Sequence, residues 1–225
     1  MQKFVLNSSH NQLFVEIVNM TTSEIQTKLI QFNEFFSIES NYNVNVVNID
    51  KKSLPSFEQF MKKMPLAFKI ASDIVHIDQA ALRPLQGVSS STAGQLVEYL
   101  HHQTQKIDLL IGYIISQENE EKNRFQGLKF GGGGLIFSSE QPLVLGQMLE
   151  LKIFLEDNSS AVYCMGEVIE TISTDNSAIE KSISYQIKVV FHFIQEDDRE
   201  ILVRTSLHEQ SKQLQALAKI RNNKN

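Results

Sequence analysis

The chain has 225 residues, room for one large domain or two small ones at roughly 100–200 residues per domain. Its 42% apolar and 21% charged content lies near the globular average, which argues against a fibre or a wholly disordered chain. The net charge of −5 argues against a nucleic-acid binder, which needs a basic face to replace phosphate counterions.

Residues Met1 to Leu6 are too short for a signal-peptide core. The strongest apolar run, Leu109 to Ile115, is interrupted by Gly112 and Tyr113 and falls far short of the ~20 residues a bilayer requires. A cytoplasmic protein without membrane insertion is expected. Cys164 is the one cysteine, so no intramolecular disulfide or CxxC pair can form, which fits a reducing compartment.

Residues 1–90 read as a mixed region. Leu13, Val15 and Ile17 alternate as in a half-covered strand, and Ile25, Leu29, Phe32 and Phe36 follow at helical spacing after Ser23 as a candidate cap. Strand then helix is one reading and all helix is another. Asn41 to Asn45 is polar and turn-prone. Pro55, after Ser53, opens a second helical stretch that Pro65 ends at Lys63 or Met64. Gly87 to Ser91 has linker character, and the main boundary is placed there.

From Ala93 to Gln117 a heptad can be written, with Ala93, Leu100, Ile107 and Ile114 at a, and Leu96, Gln103, Leu110 and Gln117 at d. One reading is a helix whose stripe packs on residues 1–90. The other is an oligomerisation helix over residues 91–120, acting through Leu96, Leu100, Gln103, Ile107, Leu110 and Ile114. There Gln103 would set register or oligomer state, as polar residues in coiled-coil seams do.

Glu118 to Arg124 reads as a solvated turn, after which the period changes from helical to two. Leu149 to Leu155, Val162 to Thr171 and Tyr185 to Phe193 are antiparallel strands, Leu135 to Phe137 is another, and Thr174 to Ser184 is a polar hairpin loop. A closing helix starts at Asp197 as cap with Glu200 three residues on. It carries Val203, Leu207, Leu214 and Leu217 on one face up to Ile220, before a frayed tail of Asn222 to Asn225. Residues 121–225 therefore describe a small barrel plugged or flanked by a helix.

Chemistry-bearing side chains form no catalytic constellation. His101 and His102 are adjacent on a helix, about 100° apart, and do not converge on one ion. His192 faces solvent or a partner, and His10, His76 and His208 have no ligand at a useful spacing. No metal and no cofactor is expected. Cys164, between apolar neighbours, reads as an inert core thiol. Glu196, Asp197 and Asp198 suit a helix N-terminus electrostatically.

Four of the ten glycines form one run, Gly131 to Gly134. A phosphate loop would need a Lys and a Ser or Thr after them, or a G-x-G-x-x-G between strand and helix. Here an apolar strand follows. The run reads as a tight turn in which glycine supplies positive φ or close backbone approach.

The segment from Leu128 to Phe137, with its glycines leading into an apolar strand, resembles the turn of PilZ domains, whose pattern is Asp or Asn, any residue, Ser, two residues, then Gly. The strand order and final helix over about 118–220 are similar as well. The resemblance implies an α+β fold, a small antiparallel PilZ-like β-barrel with a C-terminal helix, preceded by a long heptad helix and the mixed N-terminal region. The helix resembles that of atypical members that oligomerise through it.

In PilZ receptors an R-x-x-x-R pair clamps cyclic di-GMP, as planar guanidinium groups suit stacking and bidentate phosphate contacts. This chain has no Arg between Arg83 and Arg124, and Lys129 and Gly131 stand where the turn's Asp or Asn and Ser belong, ahead of Gly134. The resemblance thus implies a non-catalytic adaptor or scaffold. It would form a homo-oligomer, dimer or tetramer, and meet protein partners in bacterial cyclic di-GMP-linked motility, pili, biofilm or virulence, with cyclic di-GMP itself not expected to bind. The alternative is a nucleotide receptor that uses Lys122, Arg124 and Lys129.

Overall fold

The computed structural model describes residues 23–30, 32–33, 37–72, 91–155, 161–175 and 183–222. Leu13 to Val18, Phe36, His10, His76 and Gly87 to Ser90 lie outside them. Helical residues 23–30 and 32–33 (α1) follow the spacing read from Ile25, Leu29 and Phe32. The chain continues through β1 (Ser37–Ile49), a 3₁₀ turn (Lys51–Ser53), α2 (Phe57–Lys63) and helical residues 66–72 (α3). After α4 (Ser91–Gln117) come β2 (Arg124–Gly131), β3 (Gly134–Ser139), β4 (Met148–Phe154), β5 (Ala161–Asp175), β6 (Ile183–Phe193) and α5 (Glu196–Asn222).

The six strands close an antiparallel barrel in the order β1-β2-β3-β6-β5-β4. Its first strand comes from the N-terminal side of the boundary expected near residue 90. The barrel is therefore not confined to 121–225. Asn41 to Asn45, expected as a turn, lies inside β1, where Asn43 pairs with Gln126 and Asn45 with Arg124. Period two explains it. Tyr42, Val44 and Val46 point into the core while the asparagines occupy the other face.

Leu135, Phe137, Leu149, Leu151, Ile153, Val162, Cys164, Ile187 and Val189 fill the interior. Ile201 and Leu202 of α5 join them, so that helix packs onto the barrel core with its first turns. Strands β4 and β5 are covered on both faces. Their outer residues, Met148, Phe154, Ala161, Tyr163 and Met165, meet Phe60 and Met64 of the α2 end, Phe68 and Ala71 of α3, and Ile111 and Ile115 of α4. Phe60 stacks on Tyr163 with ring centroids 5.0 Å apart.

Local chemistry sets the helix ends. Ser56 caps α2, which starts at Phe57 and not at Pro55. Its Oγ accepts from the Gln59 amide at 3.3 Å while Gln59 Oε1 accepts from the Ser56 N–H at 3.0 Å, a reciprocal capping box. The helix ends at Lys63 with Met64 as C-cap, ahead of Pro65. α5 begins one residue before Asp197, and its first turn holds Glu196, Asp197 and Asp198, where carboxylates are favoured.

Two further expectations change. Thr174, Asp175, Ile183 and Ser184 are strand residues, with Thr174 opposite Ser184, so the β5–β6 hairpin is longer than the polar composition suggested. Glu118 is not simply solvated, because its carboxylate accepts from Lys152 Nζ on β4 at 2.7 Å. That ion pair joins the end of α4 to the barrel.

Candidate functional site

The β2–β3 glycine turn is a seat for α5. None of Gly131 to Gly134 has positive φ; among the described residues Gly146 is the glycine that does, at 76°. Close approach is what the run requires. A Cβ on Gly134 would lie 2.1 Å from the Val189 carbonyl oxygen, and one on Gly132 would lie 2.7 Å from Val203 Cγ2. The Arg199 guanidinium of α5 donates to the Gly132 carbonyl, and the Phe191 amide donates to Gly133 O at 3.1 Å. The turn is thus filled by protein from both sides.

Lys129 belongs to β2 and not to the turn. Its Nζ lies 3.4 Å from the Glu39 carboxylate on the neighbouring strand. Beneath it, Tyr42 is buried with its hydroxyl donating to Lys129 O at 2.9 Å and Ile136 O at 3.3 Å. Gly127 admits that ring, since a Cβ there would lie 2.1 Å from Tyr42 Cζ. Burial pushes the Tyr42 phenol well above its ordinary pKa.

The three basic residues of the nucleotide alternative are not gathered into one pocket. Lys122 is exposed and pairs with Glu120 at 3.3 Å. Arg124 donates to Asn119 Oδ1 and O at 2.9 and 3.0 Å, on the wall of an open cleft of about 600 Å³ shared with Asn41, Phe125 and Phe154. Lys129 lines another cleft, of about 480 Å³, with Glu39, Leu128 and Gln186. Arg124 is the one charged side chain of the first cleft.

Cys164 is fully buried, and burial, with Asp198 nearby, pushes its thiol well above the usual value. A protonated, inaccessible thiol is a poor nucleophile. His101, His102, His192 and His208 are exposed. Among the described residues no group of three or more His, Cys, Asp or Glu is placed to hold a metal ion, and no helix is long and apolar enough to cross a membrane.

Among the described residues the heptad seam of α4 is a long uncovered apolar feature. The helix runs 27 residues, about 40 Å. Only Ile111 and Ile115 of its described side chains are buried, against the outer layer of β4 and β5. Leu96, Leu100, Ile107, Leu110 and Ile114 stay 41–64% exposed, and Gln103 is half-buried among them. So the packing on residues 1–90 is real but uses the neighbouring face, through Phe60, Met64 and Phe68. A second apolar face, on α5, was visible in the sequence as Val203, Leu207, Leu214 and Leu217. These too are exposed, with Ile220.

Residues 103–207 match the family model for the PilZ domain. Comparison with curated protein sequences gives no match. Among solved structures the fold is similar to a pathogenic protein from Xanthomonas campestris, described as a new tetrameric PilZ domain self-assembled via an unusual helical bundle. The TM-score is 0.50 at 13% identity, over 80% of this chain and 91% of that one. Smaller overlaps occur with the Bacillus subtilis inhibitor of motility (TM-score 0.34, 16% identity, 40% of this chain and 42% of that). They occur also with the PilZ domain, with c-di-GMP, of YcgR from Escherichia coli (TM-score 0.35, 13% identity, 43% and 82%). With the closed barrel, the glycine turn and the flanking C-terminal helix in place, residues 103–207 are identified as an atypical PilZ domain.

Proposed function

We propose that this protein is a non-catalytic cytoplasmic adaptor that self-associates through α4, as a dimer or tetramer, and acts by protein–protein contact in bacterial cyclic di-GMP-linked processes such as motility, pili, biofilm or virulence. The observation that carries the reading is the α4 seam, five large apolar side chains at heptad spacing left in water with Gln103 among them. Apolar area of this kind on a soluble domain marks an interaction site. The Xanthomonas protein of similar fold, described as assembling through a helical bundle, supports it. Self-association would multiply weak partner contacts by raising effective concentration.

The protein works without binding cyclic di-GMP. Lys122, Arg124 and Lys129 are engaged by Glu120, Asn119 and Glu39, and the glycine turn is occupied by Arg199 and Val203 of α5. Light scattering on the intact chain tests the first part, with a mass at a multiple of 25.6 kDa expected and a monomer at all concentrations contradicting it. Titration with cyclic di-GMP tests the second. No heat and no change in melting temperature is expected, whereas a saturable shift would favour the nucleotide receptor.

A further inference from the structure

The exposed seams of α4 and α5 have the same order of layers. On α4 the seam is Leu96, Leu100, Gln103, Ile107, Leu110 and Ile114; on α5 the same spacing starts at Val203, which itself packs on Gly132 of the barrel, and runs outward through Leu207, Gln210, Leu214, Leu217 and Arg221. Both alternate steps of four and three residues, and both place a glutamine in the third layer between apolar neighbours. On α5 the residues that face the barrel, Ile201, Leu202 and Ser206, with Gln213 bonded to Glu39 O, lie on average about 100° round the helix from this seam. The seam points outward, and Leu207, Leu214 and Leu217 are 53–63% exposed.

We infer that, within the assembly proposed above and resting on it, the α5 seam is covered by the α4 seam of a second copy, running parallel, with Gln103 of one copy beside Gln210 of the other. Charge favours this pairing over two like helices. Residues 204–222 carry Arg204, Lys212, Lys219 and Arg221 against Glu209, whereas α4 carries Glu98 and Asp108 against Lys106. Although Arg204 pairs with Glu200 and Lys212 with Glu209, this stretch of α5 is net basic, so two of them repel, while one attracts the net acidic α4.

Area favours it as well. A seam from residue 96 to 114 is about 27 Å long, so each helix contributes about 300 Å². One α4–α4 seam would bury about 600 Å² in total, the size of a packing contact, whereas a two-fold pair with two α4–α5 seams buries about 1,200 Å², the lower end of stable interfaces.

Direction follows from the layers and the barrels. In parallel register the two carboxamides meet and satisfy one another; antiparallel pairing sets Gln103 against Leu214 and Gln210 against Ile107, leaving each amide unpaired in an apolar layer. α4 joins its barrel near its C-terminal end, at Ile111 and Ile115, and α5 joins its barrel near its N-terminal end, at Ile201 and Leu202. A parallel pair therefore sets the two barrels at opposite ends and keeps them apart.

Cysteine cross-linking tests the pairing, because the native Cys164 is buried. Leu100→Cys and Leu207→Cys chains carrying tags of different size are co-expressed, checked for unchanged melting temperature and oxidised. A mixed disulfide is expected in at least about tenfold excess over either self-linked product, since facing seam positions meet disulfide geometry. Leu100→Cys linking to itself would overturn the α4–α5 pairing while leaving self-association standing. Leu100→Cys linking to Leu217→Cys in place of Leu207→Cys would overturn the parallel register. No cross-link from an oligomer overturns the inference alone, and no cross-link from a protein of monomeric mass overturns the assembly with it.

Discussion

Arg199 of α5 donates a hydrogen bond to the carbonyl of Gly132, in the glycine turn between β2 and β3. Val203, one helical turn on, fills the space above the same glycine. The turn that resembles a ligand-reading element is here the seat of a helix, which directs α5 and the apolar face that helix carries.

Gly132 and Gly134 should therefore respond differently to one added methyl group. At Gly134 the methyl meets the Val189 carbonyl, a backbone atom that cannot yield. Gly134→Ala is expected to cost about 2–3 kcal/mol, in the upper range for overpacking. At Gly132 the obstacle is the Val203 side chain, so Gly132→Ala should cost less and be largely relieved by Val203→Ala. Urea unfolding of the two single variants and the double variant checks this; additive losses for Gly132→Ala and Val203→Ala would contradict it.

Tyr42→Phe removes a hydroxyl that ties β1 to the carbonyls of Lys129 and Ile136. A loss of about 1 kcal/mol is expected in denaturant unfolding. Gly127→Ala should be much worse, because the methyl would overlap the Tyr42 ring, which Phe130 holds edge to face. Equal losses for the two variants would show that the ring has room to move.

Cys164 and Tyr42 give the protein an alkaline limit. Burial raises both groups above their ordinary values in the folded state. Their contribution to stability is complete below the unfolded pKa values, near 9 and 10, and falls as pH rises beyond them, because the unfolded chain then releases protons that the folded chain retains. Stability measured from pH 7 to 11 should be flat to about 9 and then decline. Thiol reagents should leave Cys164 unmodified in the folded protein at pH 8; rapid modification at native melting temperature would contradict its burial.

The parts of the fold legible in the sequence are those where one period dominates. β4 and β6 alternate, β5 opens on a continuous apolar run that suits a strand covered on both faces, and α4 keeps a heptad over most of its length. β1 was hidden because its outward positions are Asn41, Asn43 and Asn45, so polarity looked like a turn while Tyr42, Val44 and Val46 carried the strand. β2 was hidden by a break in period: its register shifts between Gly127 and Lys129 where it pairs with β3. The seam residues of α4 were readable from spacing, whereas the use of Ile111 and Ile115 against Phe60 and Phe68 required the outer layer of β4 and β5, built by chain contacts distant in sequence. The role of the glycine run was half legible. Its composition announced close approach, but that α5 makes the approach depended on tertiary packing.

Ile111 and Ile115 give the control that separates folding from assembly. Ile115→Ala should cost about 2–4 kcal/mol, as expected for truncation at a buried core position, and lower the melting temperature. Substitution at the exposed seam positions should leave that temperature nearly unchanged.

The solution mass of Leu100→Asp combined with Ile107→Asp tests the central claim most directly. Both residues are exposed in the single chain, so the variant should fold and melt like the parent, while two carboxylates in the seam abolish pairing and the mass falls to that of one chain, 25.6 kDa. A variant that folds normally and keeps the parent's oligomeric mass would contradict assembly through α4.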